Sequence, residues 1–221
     1  MERILEVALD LIADGGLESM SMAKLAAGVD FTPGALYRYF PSKDALLSRL
    51  VERTLEGLRS ALVAAVGTLP PRTSPLVRVF VLADAYRAFA HREPHRFGML
   101  AMTLAAPKVV LEAPAHAEPV VRVMLAALQP LGEALATATE GGALERGDVS
   151  ERTLCAFALL QGVLLMRKQA RYAPSILDVD RLATRGLRGL LIGWGATKRA
   201  VDEAIARATQ LADAPVPGAP L

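Results

Sequence analysis

Apolar residues recur along almost the whole chain with the spacing of a helix face rather than that of a strand. Ile4, Val7, Ala8, Leu11 and Ile12 stand at i, i+3, i+4 intervals, with Glu2, Glu6, Asp10 and Asp14 elsewhere on the same segment. Gly15 and Gly16 stop it. Ser21 is an N-cap for a short helix to about Val29, and Pro33 stands where a first helical position tolerates a missing N–H, which predicts a second short helix to about Phe40. Pro41 ends that one, and Ser42 followed by Asp44 opens a long amphipathic helix from Lys43 to about Val66. The proline-rich, polar stretch Thr68 to Pro75 is the most natural break in the chain. Beyond it the pattern predicts helices over 76–91, 94–105, 118–139, 150–171, 177–194 and 196–212, punctuated by Pro107, Pro114, Gly141 and Gly142, then a proline-rich tail expected to be disordered. No strand run or internal repeat interrupts the series, so the expected fold is all-α.

Composition narrows the function classes only a little. With 221 residues, 52% hydrophobic and 22% charged, the chain suits one sizeable core or a small module joined to a larger domain. A net charge of +2 is too small for a blanket polyanion binder, so any nucleic-acid contact has to come from a local patch. The single cysteine, Cys155, lies in the apolar run Leu154 to Met166; the expectation is a buried thiol in a reducing compartment, with no internal disulfide. The first residues lack the pattern of a secretory signal. The longest apolar run is interrupted by Gln161 and followed by Arg167 and Lys168, short of the roughly 20 residues a membrane span needs. A cytoplasmic protein with no membrane partner is expected.

The first fifty residues carry the candidate chemistry. Two short helices joined by a tight turn and followed at once by a long one form a helix-turn-helix, whose second short helix enters the DNA major groove while the first crosses the backbone. Ala26, Val29, Leu36 and Phe40 can pack the short helices on the first helix, leaving Thr32, Pro33, Gly34, Ala35, Tyr37, Arg38 and Tyr39 for the outward face and its flanks. Gly34 and Ala35 permit close approach, and the Thr and Tyr hydroxyls suit phosphate and sugar. Arg38 is the outward residue suited to a bidentate guanine contact. Lys43, at a helix start that already attracts anions, suits a backbone phosphate, and Ser21 and Lys24 complete the set from the backbone-crossing helix. The plain alternative is a helical hairpin whose aromatic cluster is core.

Residues 31 to 47, Phe-Thr-Pro-Gly-Ala-Leu-Tyr-Arg-Tyr-Phe-Pro-Ser-Lys-Asp-Ala-Leu-Leu, resemble the DNA-binding signature of the tetracycline-repressor (TetR) family. Leu25 and Ala26 match its aliphatic-alanine pair, Gly34, Leu36 and Tyr37 its glycine-x-leucine-tyrosine, and Phe40, Ser42 and Lys43 its phenylalanine-x-serine-lysine. One departure falls at the turn: Val29, Asp30 and Phe31 stand where the family usually has alanine-glycine-valine, and Asp is expected to adopt the left-handed conformation that a turn glycine supplies. The resemblance implies a DNA-binding domain over 1–47, a helical effector-binding and dimerisation domain over 48–212 and a tail over 213–221. It also implies a homodimer on a palindromic operator, without a cofactor, released by a small and largely hydrophobic effector whose binding repositions the long helix at 43–66. Repression follows from the family's habit; activation stays open, as does a helical ligand-binding or adaptor protein that does not touch DNA.

Two further groups complete the expectations. Ala158 and Gly162, then Ala183, Gly186, Gly189 and Gly193, recur at helical spacing. Interior glycine costs a helix roughly 0.5–1 kcal/mol, so such a row suggests close helix approach, in a dimer interface or within the chain. Tyr86, Phe89, His95, Phe97, Met102, Met124, Gln161 and Met166 are the candidates to line an effector pocket, with ordinary core as the alternative. For an enzyme little speaks. His91 and His95 have a metal-pair spacing that Pro94 interrupts, with Glu93 as the only added ligand, so no metal site is expected. Cys155 has no histidine or basic neighbour to activate it.

Overall fold

The computed structural model describes residues 1–105 and 114–213; of the tail expected over 213–221, residues 214–221 lie outside the described residues. Among the described residues ten α-helices follow one another: α1 Glu2–Gly15, α2 Met22–Gly28, α3 Pro33–Tyr39, α4 Lys43–Gly67, α5 Pro75–Arg92, α6 Pro94–Ala105, α7 Pro114–Glu140, α8 Val149–Leu165, α9 Val179–Gly193 and α10 Lys198–Asp213. No strand occurs among the described residues. The starts are set by side-chain caps: Ser21 accepts from the Lys24 N–H, Thr32 from Ala35, Ser42 from Ala45, Asp148 from Ser150 and Glu151, and Asp178 from Arg181.

Two elements differ from the pattern-based expectation. α7 is helical already at Pro114, the first described residue after Ala105, and so includes residues 114–117, ahead of the expected start near 118. The helix expected over 150–171 ends at Leu165 and gives way to a 3-10 helix, Met166–Arg171, none of whose residues is buried. The pitch tightens where packing against a core stops.

The chain forms two compact units. The first comprises residues 1–60 and 89–127, the second 61–88 and 128–221, so α4, α5 and α7 each contribute to both. In the first unit α1 packs on α2 and α6, and α2 on α3. The buried face of α1 is Ile4, Leu5, Ala8, Leu9 and Ile12; Leu5 and Leu9, rather than Val7 and Leu11, complete it. Ion pairs lace α1 to its neighbours, with Glu6 on Arg96 and Asp10 3.3 Å from His95 Nδ1. In the second unit α9 packs between α8 and α10. There Arg152, almost fully buried, donates to Glu145 O (2.8 Å) and Thr139 Oγ1 (3.2 Å) and lies 5.5 Å from the Trp194 ring centre, which satisfies a charge that would otherwise be costly to bury. By length and composition α7, and α8 with the 3-10 helix, could cross a bilayer, at mean hydropathies of 1.3 and 1.4 over their most apolar windows.

Candidate nucleic-acid interface

α3 is seven residues long and buries a single side chain, Leu36; Phe40 just past its end is also buried. These two, with Val29 and Ala26, anchor the hairpin, so everything else on α3 is free to face outward. Tyr37 and Tyr39 are about half exposed, Thr32, Pro33, Gly34 and Arg38 are exposed, and Ala35 is half-buried. Ser21 and Lys24 are exposed too, and Lys24 Nζ donates to Ser19 O at 3.1 Å. All ten residues assigned to DNA from sequence therefore belong to the first unit, and none is fully buried.

The turn between the short helices behaves as its chemistry requires. Asp30 has φ 59°, the left-handed conformation, and it is the only non-glycine residue with positive φ among the described residues. Thr32 and Ser21 have structural work besides any DNA contact, since their hydroxyl oxygens cap α3 and α2. Lys43 likewise has a second role. Its Nζ donates to Leu17 O at 3.0 Å and Met20 O at 2.8 Å, tying the loop after α1 to the start of α4. An ammonium has three donors, so one remains for a phosphate.

Sequence reasoning missed one residue. Phe31 is 38% exposed, its ring centre lies 5.8 Å from that of Tyr39, and with Ala35, Arg38 and Tyr39 it lines an open hollow of about 460 Å³ on the α3 surface. The available signal was an aromatic in a turn whose packing needs were already met by Val29 and Phe40. A hollow walled by two rings and a guanidinium suits a thymine methyl or a flat base edge.

Of the pocket candidates, Phe89, His95, Phe97, Met102 and Met124 belong to the first unit, and Tyr86, Gln161 and Met166 to the second. Phe89 and Phe97 are buried core, while Met102 and Met124 are half-buried. Two placements correct the expectation. His95 lies on the surface beside Asp10, because Pro94 starts a new helix there, and Met166 is 46% exposed on the 3-10 helix. Tyr86 and Gln161 are buried together, the phenol O–H donating to Gln161 Oε1. Desolvation holds the Tyr86 phenol well above the ordinary tyrosine range. Cys155 is a further correction: it is exposed rather than buried, because α8 is apolar on more than one face and Cys155 lies on the outer one with Leu154 and Ala158.

The small-residue row divides as well. Ala183 is buried, and a Cβ on Gly186 would stand 2.7 Å from the methyls of Leu159, so these two serve α8–α9 packing within the chain. Gly162, Gly189 and Gly193 have nothing within 4 Å of a notional Cβ, and Ala158 is exposed. No group of three or more metal-ligating side chains occurs among the described residues.

Comparison with known proteins adds to this geometry. The family model described as bacterial regulatory proteins, tetR family, matches residues 4–50, and the tetracyclin repressor-like C-terminal domain matches residues 79–190. The HTH-type transcriptional repressor KstR of Rhodococcus jostii is 36% identical over 93 residues, which are 42% of this chain and 42% of that protein, so the similarity spans less than half the length of this relative. A structure of a protein with unknown function from Rhodococcus sp. RHA1 superposes with TM-score 0.68 at 24% identity, covering 87% of this chain and 94% of that one. The transcriptional regulator FadR from Bacillus subtilis, in complex with stearoyl-CoA, does so with TM-score 0.67 at 15% identity, covering 86% and 97%. With one model spanning the helix-turn-helix and the other more than half of the chain, the protein belongs to the TetR family of bacterial regulatory proteins.

Proposed function

We propose that the protein is a ligand-responsive transcriptional repressor that binds a palindromic operator as a homodimer, in the cytoplasm, and leaves it when a small, largely apolar molecule binds. The observation that carries this is the exposure of Tyr37, Arg38 and Tyr39 on a helix held by little more than Leu36 and Phe40. Such a thin element fits the width of a major groove. Arg38 reads a guanine, Tyr37 and Lys43 hold phosphates, and Ser21 and Lys24 fasten the flanking backbone.

The dimer forms through the outer faces of α8 and α9. Leu154, Cys155, Ala158 and Leu165 on α8 and Gly189 and Gly193 on α9 are exposed in the single chain, and a second copy covers them. Only a third of the most apolar window of α8 and the 3-10 helix is buried in one chain, which leaves apolar surface for a partner. Two-fold symmetry then sets the recognition helices one groove repeat, about 34 Å, apart. An apolar effector is supported by the long acyl ligand of the FadR neighbour. It releases DNA by preferring a conformation that does not fit the operator, and the size of the effect is its difference in affinity for the two states.

Selection of bound sequences from a random DNA pool tests the reading. The expected product is an inverted repeat; an unenriched pool, or enriched sequences without two-fold symmetry, overturns it. Titration of the selected complex with apolar ligands then tests release.

A further inference from the structure

Among the described residues one buried side-chain polar atom has no hydrogen-bond partner, Nε2 of Gln161. Gln161, on α8, and Tyr86, on α5, are 5% and 3% exposed, both in the second unit, and the amide oxygen accepts the hydrogen bond of the phenol O–H. The two N–H protons of the amide are therefore left over. Rotating the amide half a turn moves the shortfall to the oxygen and does not remove it. The surroundings offer no relief: Phe157, one turn back on α8, has its ring centre 6.1 Å from that of Tyr86, and Leu160 and Leu164 on the same helix are buried. An unpaired amide in apolar surroundings is rare because nothing repays its lost hydration. A leucine there would pack without that cost.

We propose that Gln161 Nε2 is the polar anchor of the effector site, donating to the carbonyl oxygen of a neutral and otherwise apolar small molecule of the ketone, ester or amide class. The proposal rests on the ligand-responsive reading above and names the chemistry its effector must carry. A carbonyl supplies the missing acceptor, and Tyr86 holds the amide oxygen so that the N–H protons point at the ligand. A free carboxylate is disfavoured, because Arg87, next to Tyr86 on α5, and Arg152 on α8 are already engaged. Arg87 is held by Asp84 and by Asp180 at 2.8 Å, and Arg152 by Thr139 and Glu145. A buried anion beside Gln161 would lack a counter-charge.

The test uses the full-length protein with three probes of equal length: methyl hexyl ketone, octane and octanoate. Thermal shift and calorimetry are expected to show the ketone binding about fivefold to tenfold more tightly than octane, the worth of one neutral hydrogen bond, with octanoate weakest. The double variant Y86F/Q161L removes both partners. Without ligand it is expected to melt at or above the wild-type temperature, and to bind ketone and alkane alike. A variant that melts lower identifies the pair as a structural network completed by water, and overturns the proposal. So does a ketone preference that survives the substitution, or its absence in the wild type. Operator binding of the wild type without probes is measured separately: its failure removes the regulator reading, whereas the anchor stands or falls on the ligand data alone.

Discussion

At the scale of single residues, the helix-turn-helix depends on two local arrangements that sequence signalled unequally. Asp30 holds a left-handed backbone, and its ion pair with Arg3 is between groups 70% and 84% exposed, so that pair adds little. Asp30→Gly is therefore expected to melt at or slightly above the wild-type temperature, and Asp30→Val to lose about 1–2 kcal/mol, since a β-branched side chain meets its own backbone in this region. Denaturant melts of both variants check this, and equal stability would show that the turn relaxes freely. Asp30 was legible because Asp is one of the few residues that accept such a turn. The bonds from Lys43 to Leu17 O and Met20 O were not, since they close over more than twenty residues of chain. Lys43→Ala is expected to cost roughly 1 kcal/mol of stability as well as operator affinity, because two carbonyls lose a charged donor. Arg38→Ala should leave stability unchanged and relax preference at one base pair by about 1–3 kcal/mol, read by competition among operator variants.

Among the elements, α8 and α9 show why a small-residue pattern is ambiguous until the partner helix is known. Gly186 meets Leu159 of its own chain, whereas Gly162 and Gly189 face open space. Gly186→Ala is expected to lower the melting temperature at any protein concentration, as Leu159 has to move. Gly189→Leu should leave the single chain at least as stable, through better helix propensity, yet weaken self-association about tenfold or more if two copies pack there. Sedimentation at a series of concentrations separates these outcomes; an unchanged dimer would place the interface elsewhere. Cys155 illustrates the same point. α8 carries apolar residues both on its core face, Leu160 and Leu164, and on its outer face, Leu154 and Leu165, so hydrophobicity alone does not say which way the thiol points.

For the whole molecule, binding has to be a matter of local charge, since +2 over 221 residues gives no general attraction to DNA. If two copies each place Tyr37, Lys43, Ser21 and Lys24 on phosphates, operator affinity should fall by about 10³-fold or more between about 50 and 200 mM salt. A shallow slope would mean that few phosphates are engaged. What the sequence determined by itself is the order of the helices, the approximate extent of most of them, and the presence of the helix-turn-helix signature. Helix periodicity, caps and turn residues act within a few positions of one another, and the DNA-binding signature is contiguous. What only the tertiary structure decided is which faces of those helices are used: Leu5 and Leu9 inward, Gly186 against Leu159, Cys155 and Met166 outward, and Gln161 buried beside Tyr86 with its nitrogen unmatched. Burial is a property of the partner surface, and partners far apart in the chain leave no trace in local spacing.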